Sequence, residues 1–297
     1  MRIGLAAYRC ENRNMDFNIG QIERALKEVQ GKVDLLCFGE AFLQGFDSLD
    51  WDYEKDKEKR MRIGLASYRS ENRNTAFNIS QIERALKEAQ GKVDLLCFGE
   101  AFLQGFDSLD WDYEKDKEMA VAQDSETMDR LRSLTAQYHT ALLTGYIERE
   151  GDTLYSSCIV LAEGKTVHNY RRISRGWKDF TQTDDHYREG TETGEFSLQG
   201  KKIMVSLCGD MWDFPERFKT DHLLIWPIYV NYTLEDWEAG TVEDYAAQSA
   251  LAAKDALLVN PLDNDPVSHG GAFRFQEGRV TDRIPFDSEQ ILIVDVE

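Results

Sequence analysis

The sequence predicts an α/β fold whose core is built sheet on sheet and faced with helices. Three observations predict it: short apolar strands alternate with amphipathic helical stretches, several later strands follow one another as hairpins, and the opening β-α-β pattern is written twice. Residues 1–58 and 61–118 match at all but six positions: Ala7 against Ser67, Cys10 against Ser70, Met15 against Thr75, Asp16 against Ala76, Gly20 against Ser80 and Val29 against Ala89. Repeat arrays normally hold three or more drifted units, whereas here no third copy follows Met119. The expected organisation is therefore an extra copy, residues 1–60, in front of a domain spanning 61–297, with Met61 opening the second copy like a natural start.

Within each copy, Arg2–Tyr8 reads as a strand. Asn12–Asn14 offers caps for a helix whose apolar positions Ile19, Ile22, Leu26 and Val29 recur at helical spacing until Gly31. Val33–Phe38 is a near-continuous apolar run, the mark of a strand buried on both faces. It leads to Gly39-Glu40, and in the second copy to Gly99-Glu100, at the carboxyl end of the strand, where open α/β sheets place ligands. Further on, Ser125–His139 reads as a helix and Ala141–Tyr146 as a strand. Thr153–Leu161 and Thr166–Arg171 form a hairpin turning at Gly164. Lys202–Leu207 and His222–Pro227 are strands, Val242–Lys254 is an alanine-rich helix, and Leu257–Asn260, Gly270–Phe275 and Gln290–Val296 supply the last strands.

The chain of 297 residues carries a formal charge of −19. The first sixty residues hold 10 basic and 12 acidic side chains against 25 and 42 in the rest, so the acidity belongs to the domain itself. Nucleic-acid and anionic-membrane partners need a basic footprint and are not expected. No stretch approaches the roughly 18 apolar residues of a membrane span. Five cysteines without paired spacing point to a reducing, cytoplasmic setting. The five histidines, His139, His168, His186, His222 and His269, show no ligand spacing, so no metal is expected.

Three segments carry candidate chemistry. FGEAFLQGF holds Glu40 and, in its second copy, Glu100; a glutamate directly after a buried strand is desolvated, which favours service as a general base. IMVSLCGDMWDFPE places Cys208 after an apolar strand and before a Gly209-Asp210 turn whose backbone N–H groups suit a thiolate or an oxyanion. NYRRISRGWKDF is cationic. Taken singly, these read equally well as a capping carboxylate, a buried structural cysteine and a solvated basic loop.

In this order the segments resemble the nitrilase, or carbon–nitrogen hydrolase, superfamily. Phe98-Gly99-Glu100, Cys208-Gly209-Asp210 with Pro215-Glu216, Trp226-Pro227, Asn260 and His269-Gly270-Gly271 all fall in the family order across nearly all of 61–297. The resemblance implies a four-layer α-β-β-α sandwich, no cofactor, and hydrolysis of a non-peptide C–N bond in a small amide or carbamoyl compound. By it, Cys208 is the nucleophile, Glu100 (or Glu40) the base, and a lysine stabilises the oxyanion. The family's lysine aligns with Arg172, so Lys178 is the favoured cation and Arg172 the alternative. The resemblance also gives Asp185 an orienting role. Trp212, Trp226 and Tyr229 are candidate pocket walls on the strength of their aromatic side chains.

The family commonly dimerises, so a homodimer, swapped or not, is expected. The missing lysine also leaves open a catalytically impaired binding protein, and the duplication leaves open a chain, designed or evolved, that swaps its two N-terminal copies. Between the copies, the direct connection from Glu118 into Met119 favours Glu100 in the site.

Overall fold

Each copy of the repeat begins with a short strand and a helix of 15 residues. The computed structural model describes residues 1–43 and 60–296 and divides the chain into two units, Met1–Arg60 and Met61–Glu297. In the smaller unit, β1 (Ile3–Leu5), α1 (Met15–Val29) and β2 (Leu35–Cys37) form a β-α-β element with β1 and β2 parallel. The helix starts where expected because the Asn14 side chain accepts from the Phe17 N–H, filling one of the donors a first turn leaves free. It stops before Gly31, whose φ of +74° suits a residue without a Cβ. The last three residues of the first FGEAFLQGF segment lie outside the described residues.

The larger unit repeats this element as β3 (Met61–Ser67), α2 (Thr75–Ala89) and β4 (Leu95–Cys97). It continues through α3 (Tyr113–Met119), α4 (Glu126–Tyr138), β5 (Ala141–Glu150), β6 (Thr153–Ala162), β7 (Lys165–Arg171), β8 (Gly194–Leu198), β9 (Lys201–Val205) and β10 (Leu223–Pro227). The helix α5 (Val242–Ser249) and the strands β11 (Asp255–Asn264), β12 (Val267–Gln276), β13 (Arg279–Arg283) and β14 (Gln290–Val296) complete it. Two six-stranded sheets result, in the orders β14-β3-β4-β5-β6-β7 and β13-β12-β11-β10-β9-β8.

One apolar cluster joins the sheets: Leu65, Leu95, Leu143 and Val160 of the first meet Val205, Ile225 and Leu258 of the second. Another holds Leu96, Leu142 and Ile159 against Ile82 and Leu86 of α2 and Met128 and Leu131 of α4. Leu95 and Leu96 thus point to opposite, equally buried sides, which is why VDLLCF is apolar without alternation. On the second sheet α5 contributes Val242, Tyr245 and Ala246 to the inner cluster.

Two short strands fall outside the expectations. Glu195 and Ser197 of β8, and most of β13, are exposed, so these edge strands lack the apolar runs that reveal buried ones. Helix α5 ends at Ser249 rather than Lys254, because the chain beyond it bonds elsewhere: the Ala252 carbonyl accepts from Thr220 and the Lys254 carbonyl from Glu277. Among the described residues, no helix is long and apolar enough to cross a membrane.

Candidate active site

Glu100 leaves the end of β4 between the two sheets. On one side Phe98 N–H donates to the Leu143 carbonyl and Gly145 N–H to the Gly99 carbonyl; on the other, Glu100 N–H donates to Ile228 O, just beyond β10. Gly145 permits this approach, since a Cβ there would lie 2.4 Å from Ala101 N and 2.6 Å from Glu100 Cα. The carboxylate is wholly buried. Its Oε1 accepts from Ser156 Oγ at 2.8 Å and from Arg172 Nη1 at 2.8 Å, while Oε2 is buried without a hydrogen-bond partner.

Arg172 follows the last residue of β7, its N–H donating to Ser156 O at 2.8 Å and its Nε to Ser174 Oγ at 2.7 Å. The guanidinium is 3% exposed. Burial works against its charge, but Glu100, then Cys208 and Asp210, outweigh this and keep its pKa above the ordinary value. A buried cation of this kind persists only where it is paired.

Cys208 sits one residue beyond the strand Lys202–Leu207 predicted from sequence and three beyond β9 as observed, ahead of a short helical turn at Asp210–Asp213. Its backbone has φ +37°, a left-handed conformation rarely adopted by a residue with a Cβ. The turn is held by Asp210, whose carboxylate accepts from the N–H groups of Leu207 (2.8 Å), Ile173 (3.0 Å) and Ser174 (2.8 Å) and from Tyr170 Oη (2.5 Å). One side chain therefore ties the Cys208 turn to the segment that carries Arg172. Gly209 lets them close: a Cβ there would stand 2.4 Å from Arg172 Nη2.

The Cys208 thiol is pushed up to about 12, first by burial and then by the charge of Glu100; Arg172 opposes this only in part. Burial and the Glu100 charge both favour the thiol form, the reverse of what turn N–H groups do for a thiolate. The Cys208 N–H is itself engaged by Pro227 O at 2.9 Å. Glu100, as an acceptor facing the thiol, is one of the causes that hold the proton on sulfur.

A cleft of about 330 Å³ opens over Cys208 and Arg172, walled by Phe106, Asp107, Gly176, Tyr229, Val230, Asn231 and Tyr232. The Phe106 and Tyr229 rings stack at 4.6 Å. Asn260 fixes the 228–232 wall by accepting from Val230 N–H and donating to Val230 O, both at 3.0 Å.

The structure brings Glu100, Arg172, Cys208 and Tyr229 together. It corrects the preference for Lys178, whose ammonium pairs with Glu189 at 2.8 Å and donates to the Tyr187 carbonyl. The chain turns at Ser174–Trp177, so position 178 is carried to the Tyr187–Glu189 segment, and Arg172 is the cation bonded to Glu100. Asp185 is exposed, with its carbonyl accepting from Arg188. Glu40 is exposed in the smaller unit. Trp226 is fully buried and donates its indole N–H to Cys208 O at 2.9 Å, so it supports the turn rather than lining the cleft. Trp212 lies 43% exposed and walls a neighbouring cleft with Tyr232, Asp236, Thr241, Asp244 and Tyr245. Sequence reasoning missed Ser156, which looks like any other β6 residue. Asp210, by contrast, was visible as the residue two after the cysteine.

A family model for carbon-nitrogen hydrolases matches residues 62–237. The chain is 24% identical over 156 residues to a glutamine-dependent NAD(+) synthetase of Thermotoga maritima, covering 52% of this chain and 26% of that protein. Across the curated relatives it matches, it spans between 26% and 54% of their length. Among solved structures it is similar to a CN-hydrolase superfamily protein from Xanthomonas campestris with an arsenic adduct in its active site. That likeness has a TM-score of 0.66 at 17% identity and covers 81% of this chain and 91% of that one. It is also similar to a mutant amidase from Nesterenkonia sp. carrying acrylamide on its active-site cysteine, with a TM-score of 0.63 at 17% identity, over 80% and 93% of the two chains. At such identities the structural likeness speaks to the fold.

Proposed function

Given that the chain belongs to the carbon-nitrogen hydrolase family, we propose that it hydrolyses the C–N bond of a small amide or carbamoyl compound through a thioester on Cys208. The observation that carries this reading is the Glu100 carboxylate. One oxygen is clamped by Ser156 and Arg172, and the other is buried, unpartnered and available to the thiol. A buried acceptor left without a partner costs about 1–3 kcal/mol, which a proton-transfer role explains.

In the proposed reaction the thiol proton passes to Glu100 as sulfur attacks the carbonyl carbon, so no free thiolate is required in the resting enzyme. The carbonyl oxygen gains the negative charge, next to the Arg172 guanidinium and the Gly209 N–H. Collapse of the tetrahedral adduct breaks the C–N bond, and the departing ammonia or amine takes the proton from Glu100. Water, deprotonated by Glu100, then attacks the thioester; the carboxylic acid leaves and the proton returns to sulfur. An arginine does not exchange its proton at working pH, so Arg172 contributes charge and Glu100 moves every proton. The four-layer α-β-β-α reading of the fold is supported by the two clusters that bury both faces of the first sheet and the inner face of the second.

The test is ammonia release from a panel of small primary amides. Cys208→Ala is expected to lose at least about a thousandfold in rate, as removal of a covalent nucleophile does. A wild-type protein as inert as Cys208→Ala across the panel would overturn the proposal.

A further inference from the structure

The two copies of the β-α-β unit differ most in what covers them. Ile3, Leu5, Leu26 and Leu35 are 53%, 85%, 52% and 47% exposed, whereas their repeat images Ile63, Leu65, Leu86 and Leu95 are wholly buried. The covering surface is known in full, because the larger unit shows it on the second copy. There β3 lies between β14 and β4, in a register that sets Arg62 opposite Asp295 and Leu65 opposite Leu292. The rim is charged in a complementary way: Glu83 pairs with Arg130 at 2.7 Å and Arg84 with Glu289 at 2.8 Å. The first copy presents Glu23 and Arg24 at the same places.

We propose that residues 1–58 are an interchangeable spare for residues 61–118: the surface formed by 119–296 of the same chain accepts either copy, and Glu40 enters the place of Glu100 when the first copy is seated. The catalytic consequence rests on the hydrolase reading; the exchange of copies does not. The occupant is the chain's own first copy rather than a second molecule, because a tether of about sixty residues holds it at an effective concentration on the order of millimolar.

Two of the six differences decide which copy is seated in the unperturbed chain. Ser67 Oγ donates to Asn260 O at 3.2 Å and accepts from Gly271 N–H at 2.9 Å, and Ala7 can do neither. Ala89 is wholly buried, so Val29 would have to fit two extra carbons into a filled space. The remaining four matter little: Ser70 Oγ is buried without a partner, so Cys10 forfeits nothing there, and Thr75, Ala76 and Ser80 are partly or fully exposed. Seating the first copy also loops out about sixty residues, a penalty of roughly several hundredfold. The second copy therefore holds the place, and the first takes it when the second is disabled.

Leu65→Asp disables it, since a carboxylate at that wholly buried position is disfavoured by far more than the loop penalty. The expected result is that full-length Leu65→Asp keeps a cooperative thermal transition, while Leu5→Asp/Leu65→Asp loses it. A disulfide locates the exchange: with Arg2→Cys and Asp295→Cys added to Leu65→Asp, mild oxidation joins residues 2 and 295 within one chain. The yield is expected to be at least tenfold above that of the same cysteine pair without Leu65→Asp. The inference is overturned if Leu65→Asp is as unfolded as the double variant, or if it folds without the 2–295 bond. It is equally overturned if the bond forms only between chains, which would make a second copy of the chain the occupant. Because both readouts are independent of turnover, a cross-linked but inert protein would leave the exchange standing and overturn only the catalytic use of Glu40, whereas an inert native chain would remove the hydrolase reading.

Discussion

Residues 1–43 and 61–103 are nearly the same sequence in nearly the same local conformation. Both helices are capped by an asparagine that accepts from a phenylalanine N–H, Asn14 from Phe17 and Asn74 from Phe77. In both, a second asparagine accepts from a glutamate N–H seven residues back, Asn18 from Glu11 at 2.7 Å and Asn78 from Glu71 at 2.8 Å. Both end before a glycine with φ near +74°. Yet Glu40 is exposed at the end of its strand, and Glu100 is wholly buried against Ser156, Arg172 and the Cys208 thiol. The comparison separates what a β-α-β unit builds from its own residues from what its surroundings make of it. Capping and turning are local; the chemistry of the glutamate is not.

The comparison can be broken most severely at the glutamates. Glu100→Gln is expected to lower the amide-hydrolysis rate by at least about a thousandfold, since it removes the group assigned every proton transfer. Glu40→Gln is expected to leave the rate unchanged in the otherwise native chain. Equal losses from both would mean that both copies serve the site.

At the leucines the contrast becomes one of stability. Leu65→Ala should cost about 2–5 kcal/mol, as buried leucine truncations do, and Leu5→Ala less than about 0.5 kcal/mol, as exposed substitutions do. Denaturant titration of the full chain measures both, and a matching cost at Leu5 would show that the first copy is covered. Ser67→Ala leaves the buried Gly271 N–H without its acceptor, at a cost of about 1–3 kcal/mol, while Ala7→Ser should change nothing measurable.

The smallest effect is electrostatic. Alkylation of Cys208 follows the thiolate, so in the native chain its rate climbs toward an inflection near pH 12. After burial, the charge of Glu100 is the largest cause that raises that pKa. Glu100→Gln should therefore move the inflection to lower pH, read as labelling of the Cys208 peptide by mass spectrometry. No movement, or movement upward, would separate the two groups. Glu40→Gln should leave the profile in place.

Much of the site was legible because it lies at strand ends. Glu100 and Cys208 each follow an apolar run, and an apolar run that stops at a polar residue marks the rim of a sheet wherever the chain goes next. The cation was not legible in the same way. Choosing between Arg172 and Lys178 requires the path of the loop after β7, and that path is set by Asp210, which takes the Ile173 and Ser174 N–H groups from across the fold. Ser156 was hidden for a related reason: its role depends on which face of β6 meets Glu100, and a lone serine in a strand carries no sign of it. Trp226 shows the opposite error, an aromatic residue read as a pocket wall that serves as a buried support for the Cys208 carbonyl.

The sequence by itself determined the β-α-β units, their caps and stops, the buried strands and the order of the glutamate, cationic and cysteine segments. These depend on contacts within a turn or two of chain and on the period of apolar residues. Only the tertiary structure decided what covers the second copy, which cation meets the glutamate, and that burial pushes the cysteine thiol up. Each of those turns on residues tens to hundreds of positions apart, such as Ser67 with Gly271 and Glu100 with Arg172. Burial, not local sequence, sets the charge and partners of such groups, and burial is a property of the assembled fold.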